Sequence, residues 1–146
     1  MSSGALHQLF LSENGTVYSV GLNVHGELGL GDNINRNSLT QIPLKIPISK
    51  TAAGAYFSLM LTPNGSILAF GYNNYGQLGQ NTSKILSINK PTIIQQPLAQ
   101  NITQISAGAF HCVCLNSDRE VILWGYNMVI FFIKLKVWTI RSNFIF

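Results

Sequence analysis

Charge is scarce in this sequence. Asp, Glu, Lys and Arg together make up 10% of the 146 residues, and only five are acids: Glu13, Glu27, Asp32, Asp118 and Glu120. So few carboxylates, with none paired in the sequence, leave little for acid–base chemistry. No Ser/His/Asp set recurs either, so a hydrolase or transferase is not expected. Bases give no nucleic-acid signature. Residues 1–127 hold six Lys/Arg against five acids, a balance of +1, and the rest of the +4 comes from Lys134, Lys136 and Arg141. A nucleic-acid surface clusters its bases on the fold, so direct nucleic-acid binding is not expected.

Long apolar runs are also missing. The run MVIFFI stops at Lys134, whereas a membrane-spanning helix needs about 20 apolar residues. MSSGALHQLFLSENG has no basic segment followed by an apolar one, so it is not a secretory signal. An intracellular protein, cytoplasmic or nuclear, is expected, with no membrane partner. Cysteine is limited to Cys112 and Cys114. Two positions apart on a strand they share a face, but partners for a zinc site are missing. They read as small buried apolar side chains. Helical periodicity is absent as well.

What the chain does have is apolar bulk and glycine, with 47% hydrophobic residues and 13 Gly. The glycines are periodic. At an offset of 50, residues 4–32 lie on 54–82 with 11 of 29 identities. Gly4, Gly15, Gly21, Asn23, Gly26, Leu28 and Gly29 recur as Gly54, Gly65, Gly71, Asn73, Gly76, Leu78 and Gly79. At a further offset of 54 the pattern restarts at Gly108 and runs through Gly125 to Asn127, where it stops. A period near 50 marks a repeat architecture.

Each unit reads as β-structure. LHQLFL (6–11) and TVYSV (16–20) flank SENG, and FSLML (57–61) and SILAF (66–70) flank TPNG. Asn-Gly between alternating strands predicts a type I′ hairpin. Arg119 stands at the turn glycine's place in the third unit, which predicts strain or a different turn. ISKTAAG (48–54) and ITQISAG (102–108) supply a further strand before each hairpin, and the proline-bearing runs 39–46 and 91–98 suit an outer edge. Four strands per unit predict an all-β fold, a partial β-propeller of four-stranded antiparallel blades. The units fall near 4–32, 33–82 and 83–127. The first lacks its Ile-bearing strand, the last lacks its closing loop, and 128–146 is an off-pattern apolar basic tail.

Function has to come from the loops. GELGLG (26–31) is not a phosphate-loop spacing, and no helix follows it to hold an anion. Its glycines permit a close turn, and Leu28 or Leu78 plugs the space between blades. His7 and His111 share the strand face of Leu9 and Leu11, and of Val113 and Leu115. They predict packing and a hydrogen bond to neighbouring backbone. Loop positions left for a partner are His25, Glu27, Asp32, Tyr75 and Gln77. No cofactor or metal ligand set is expected.

GALHQLFLSENGTVYSVGLNVHGELGLGD and AGAYFSLMLTPNGSILAFGYNNYGQLGQN resemble the repeat of the regulator of chromosome condensation family, and AGAFHCVCLNSDREVILWGYN resembles part of it. Phe57 departs at the histidine position and Arg119 at the turn glycine. The resemblance implies a propeller, of which this chain would be a fragment, acting as a non-catalytic protein-interaction module. It implies a protein partner, a small GTPase or a chromatin-associated protein, and no small-molecule substrate. The alternative it implies is guanine-nucleotide exchange on a Ras-like small GTPase.

Overall fold

Twelve strands form three four-stranded antiparallel sheets, each meandering in chain order, in a computed structural model that describes residues 1–80, 84–94, 101–126 and 133–136. The first blade is β1 (Ser2–Ser3), β2 (His7–Leu11), β3 (Val17–Gly21) and β4 (Arg36–Gln41). The second is β5 (Lys50–Ala53), β6 (Phe57–Leu61), β7 (Ile67–Tyr72) and β8 (Ser87–Ile93). The third is β9 (Ile102–Ala107), β10 (His111–Asn116), β11 (Glu120–Gly125) and β12 (Ile133–Lys136). The fold is all-β, a partial propeller. No helix among the described residues is long and apolar enough to cross a membrane. Asn127 and most of the 128–146 tail lie outside the described residues.

The first blade does have an inner strand. Ser2 and Ser3 pair with Leu9 and Gln8, and the Ser2 hydroxyl donates to the Thr51 carbonyl at 2.8 Å. This strand is two residues long, against four in β5 and six in β9. The tail contributes as well, since Ile133–Lys136 pairs with Glu120–Leu123 as the outer strand of the third blade.

The sheets are out of phase with the sequence units. The strand before Pro43 pairs with β3, the hairpin it follows, and not with the hairpin it precedes. Its range, 36–41, ends ahead of the proline. Pro91 does enter a strand, β8, at the register shift between Ala69 and Gly71, where no ladder donor is required.

The hairpin turns are not type I′. Gly15 has φ 84° and Gly65 φ 83°, but Asn14 and Asn64 are not at positive φ. The Gly15 amide bonds the Ser12 carbonyl at 3.0 Å and the Ser12 amide bonds the Thr16 carbonyl at 2.9 Å. That is a type I turn with a left-handed bulge residue. Asn14 serves as an acceptor instead, taking the Thr16 amide at 3.1 Å. Arg119, at φ 61°, takes the left-handed place in the third hairpin.

Blades stack through side chains of alternate strand positions. Leu9, Val17, Met60, Leu68 and Phe70 form one core, between the first and second blades. Phe57, Leu59, Leu61, Leu78, Cys112, Cys114 and Trp124 form the other, between the second and third. All five residues of β6 are therefore buried, whereas β2 and β10 keep an alternating pattern. Burial on both faces removes the alternation. Cys112 (0% exposed) and Cys114 (1%) are the small core residues expected. His111 is exposed, because its face points away from the second blade. The inner turns are tied by a chain of backbone bonds, Ala5 amide to Ala55 carbonyl at 3.3 Å and Ala55 amide to Ala109 carbonyl at 2.9 Å.

Candidate interaction surface

The G-x-N-x-x-G-x-L-G segment is a loop built around its asparagine. Asn23 Oδ1 accepts the Leu28 amide at 2.9 Å, and its Nδ2 donates to the Asp32 and Ile34 carbonyls at 3.0 and 3.2 Å. Asn73 repeats this, accepting from the Leu78 amide at 2.9 Å and donating to the Ile85 carbonyl at 2.7 Å. Both asparagines and both leucines are 0% exposed. One side chain thus satisfies a loop's orphaned backbone groups, and the leucine fills the joint behind it.

Each loop docks on the following blade. At the first joint the Glu27 carbonyl accepts the Ser58 hydroxyl at 2.8 Å. At the second, the Gln77 carbonyl accepts Trp124 Nε1–H at 2.9 Å and the Cys112 thiol at 3.2 Å. The His7 ring lies over Gly4, where a Cβ would meet its Cε1 at 2.4 Å, and Nε2 is 2.9 Å from Ser58 Oγ. The partner is a neighbouring side chain, not the backbone expected from sequence. Since the Ser58 proton goes to Glu27, His7 carries its own on Nε2 and leaves Nδ1 buried without a partner. Burial holds the His7 pKa down at about 4.

Of the five partner positions, three are available and two are not. Glu27 and Gln77 are both 0% exposed. Glu27 Oε2 accepts the His25 amide at 2.7 Å, and Gln77 Oε1 accepts the Tyr75 amide at 3.0 Å. They are loop braces, so their acid or amide character looks like surface chemistry in the sequence but serves the turn. Asp32 is half-buried and paired with Arg36 at 2.6 Å; that hydrogen bond holds its carboxyl below the usual range. His25 is half-buried and Tyr75 is 41% exposed.

His25 and Tyr75 belong to something larger. His25 contacts the Tyr56 and Tyr72 rings, with centroids 5.7 and 4.8 Å away. Phe110 contacts Tyr56, Tyr72 and Tyr75 at 6.3, 6.4 and 5.3 Å. Tyr75 reaches Tyr126 at 4.5 Å. A row of rings therefore crosses all three blades at the end carrying the loops. Tyr56, Tyr72, Phe110 and Tyr126 were not among the expected positions. The available signal was their place in the repeat, where Tyr56 aligns with Phe110, Tyr72 with Tyr126, and His25 with Tyr75.

The family model described as "Regulator of chromosome condensation (RCC1) repeat" matches residues 14–61 and 64–115, and a second model of this repeat matches 48–77. The chain belongs to the regulator of chromosome condensation repeat family. Each of the two stretches matched by the first model runs from a hairpin turn through the docking loop into the next blade, so that repeat straddles a joint. A human relative, "Probable E3 ubiquitin-protein ligase HERC3", is 46% identical over 127 residues, which is 87% of this chain and 12% of that protein. Human WBSCR16 superposes with a TM-score of 0.78 at 27% identity, over 85% of this chain and 32% of that one. Yeast RCC1 (Prp20), crystallised with Kap60, gives 0.73 at 25% identity, over 84% and 28%. This repeat-family chain thus spans about a third or less of the length of these three relatives. Among its described residues, no three His, Cys, Asp or Glu side chains are grouped to hold a metal ion.

Proposed function

We propose that the chain is a non-catalytic protein-interaction module, and that its contact surface is the loop end bearing the aromatic row. The observation that carries this is continuity. Rings from three blades touch in sequence, while Tyr75 and Tyr126 remain 41% and 49% exposed. Partly exposed tyrosines that are already ordered by neighbours are favourable contact groups, since little side-chain entropy remains to be lost. His25 supplies the polar ring of the row, and Asp32 lies further along the same loop, paired with Arg36. The partner is a protein, with a small GTPase or a chromatin-associated protein as the first to test. Prp20p, a 24%-identical structure with the same fold, was described with its binding to Gsp1p and histones. The proposed compartment is the nucleus or cytoplasm.

Likeness to yeast RCC1 favours a second reading, guanine-nucleotide exchange. One pair of measurements separates them. The purified chain is immobilised, and binding of a Gsp1p-type GTPase and of histones is measured for it and for Tyr75→Ala/Tyr126→Ala. The module reading expects binding that falls about tenfold or more in the variant with an unchanged melting curve, and no acceleration of nucleotide release. Faster release selects exchange, and binding indifferent to both tyrosines removes this surface.

A further inference from the structure

The chemistry of the row indicates what it holds, given that the loop end is the contact surface. We propose that the row docks a proline-rich segment in the polyproline II conformation. Shape is the first argument. Most neighbouring rings meet at steep angles, 76° for His25–Tyr56, 71° for Tyr72–Tyr75, 67° for Tyr75–Phe110 and 69° for Tyr75–Tyr126. Edge-to-face contacts of this kind make a ridged surface, with furrows between rings, and proline rings fit such furrows.

Charge is the second argument. The stretches that carry the rings, 22–26, 54–57, 71–76, 108–111 and 125–126, contain no Asp, Glu, Lys or Arg. A charged segment laid on them would lose water without gaining a counter-charge. Arginine would bind tyrosine faces best beside a carboxylate. The nearest acid in sequence, Glu27, is 0% exposed and already bonds the His25 amide.

Hydrogen bonding is the third. Among the described residues, no protein group hydrogen-bonds the hydroxyls of Tyr56, Tyr72 and Tyr75, and none of them is a buried unpartnered atom, so each can exchange water for a ligand carbonyl. A polyproline II segment has the complementary need, because its carbonyls make no internal bonds and its prolines bring no N–H donors. The hydroxyls donate and the carbonyls accept, while the rings cover the pyrrolidines.

The test is an NMR titration of the full 146-residue chain with three probes of equal length, decaproline, an Arg-Gly repeat and a Glu-Gly repeat. Decaproline is expected to shift the amide signals of 72–76, 110–111 and 125–126, and the charged peptides to leave them in place. Tyr75→Ala/Tyr126→Ala should weaken decaproline binding about tenfold or more. Tyr75→Phe, which keeps the ring and removes the donor, should weaken it about threefold. No shift at millimolar decaproline, shifts confined to other residues, or tighter binding of the Arg-Gly peptide to these same signals overturns the proposal. The two readings fail separately. If the double variant loses GTPase or histone binding and decaproline does not bind, the surface stands and its proline chemistry falls. If decaproline binds through Tyr75 and protein capture ignores both tyrosines, the reverse holds.

Discussion

The two joints between blades share one backbone plan and differ in chemistry. In both, a loop carbonyl is capped by the next blade, a leucine fills the space and an asparagine braces the loop. At the first joint the capping group is the Ser58 hydroxyl, backed by the His7 imidazole. At the second it is the Trp124 indole with the Cys112 thiol, and Phe57 stands where His7 stood. The carbonyl needs a donor in either case. What surrounds the donor differs between the two, and each joint leaves buried polar atoms without a protein partner, His7 Nδ1 and Glu27 Oε1 at the first and Gln77 Nε2 at the second. The comparison predicts that the second joint is stronger through packing and the first is sensitive to pH.

The largest effect is expected at the second joint. Trp124 is 2% exposed, fills the core between blades and donates to the Gln77 carbonyl. Trp124→Ala leaves a cavity and a carbonyl capped only by the weak Cys112 thiol donor, and should cost about 3–5 kcal/mol in denaturant unfolding. Trp124→Phe separates the terms, because it keeps most of the volume and removes the N–H. It should cost about 1–3 kcal/mol. A loss below that range would mean that the Cys112 thiol alone can cap the loop.

Acid tests the first joint. His7 has a folded pKa of about 4 against an ordinary 6.5. The unfolded chain therefore takes up the proton first. Stability from this group is fully present above the unfolded value, falls as pH drops from about 6.5 towards 4, and is flat below. The whole change is about 3 kcal/mol. His7→Phe, the residue the second joint uses, should abolish this part of the pH dependence of unfolding. An unchanged pH profile in that variant would place the titration elsewhere.

A smaller contrast concerns the thiols. Burial raises the Cys114 pKa to about 12 and pushes Cys112 well above the ordinary value. Neither should react with iodoacetamide at neutral pH until the second joint opens. In Trp124→Ala their labelling rate should rise with the unfolded population. Fast labelling of the unaltered chain would contradict the packing of this joint.

These joints also explain what could be read in the residues beforehand. Gly, Asn and Leu at fixed offsets report backbone and packing needs, which every copy must meet, so the blades and the leucine plug were legible. Glu27 and Gln77 were misread because a polar side chain in a loop looks the same whether it meets solvent or its own backbone; their burial arises only once the next blade is in place. The phase error has a related cause. Strand ranges 36–41 and 87–93 are as close in sequence to the following hairpin as to their own, and only pairing decides. The aromatic row is assembled from different blades, so no single stretch displays it.

The smallest effect compares the hairpin turns. Gly15 and Gly65 supply the left-handed residue at φ 84° and 83°, and Arg119 holds φ 61° at the same place. An L-residue with a Cβ costs about 1–2 kcal/mol in that region. Arg119→Gly removes this strain, but glycine gives back about 0.5–1 kcal/mol through the freedom of the unfolded chain. The net gain should be about 0.5 kcal/mol, visible as a small rise in melting temperature. The reverse change is harsher than a simple exchange of signs. At Gly65 a new Cβ would come within 2.9 Å of the Ile102 amide nitrogen, which belongs to the next blade's inner strand. Gly65→Ala should therefore strain the backbone and push two blades apart, for a loss of about 1–3 kcal/mol. If Gly65→Ala proved as mild as Arg119→Gly, the tip of the second hairpin would not be packed against the third blade. If Arg119→Gly destabilised the chain, the contacts of the arginine side chain would outweigh its backbone strain.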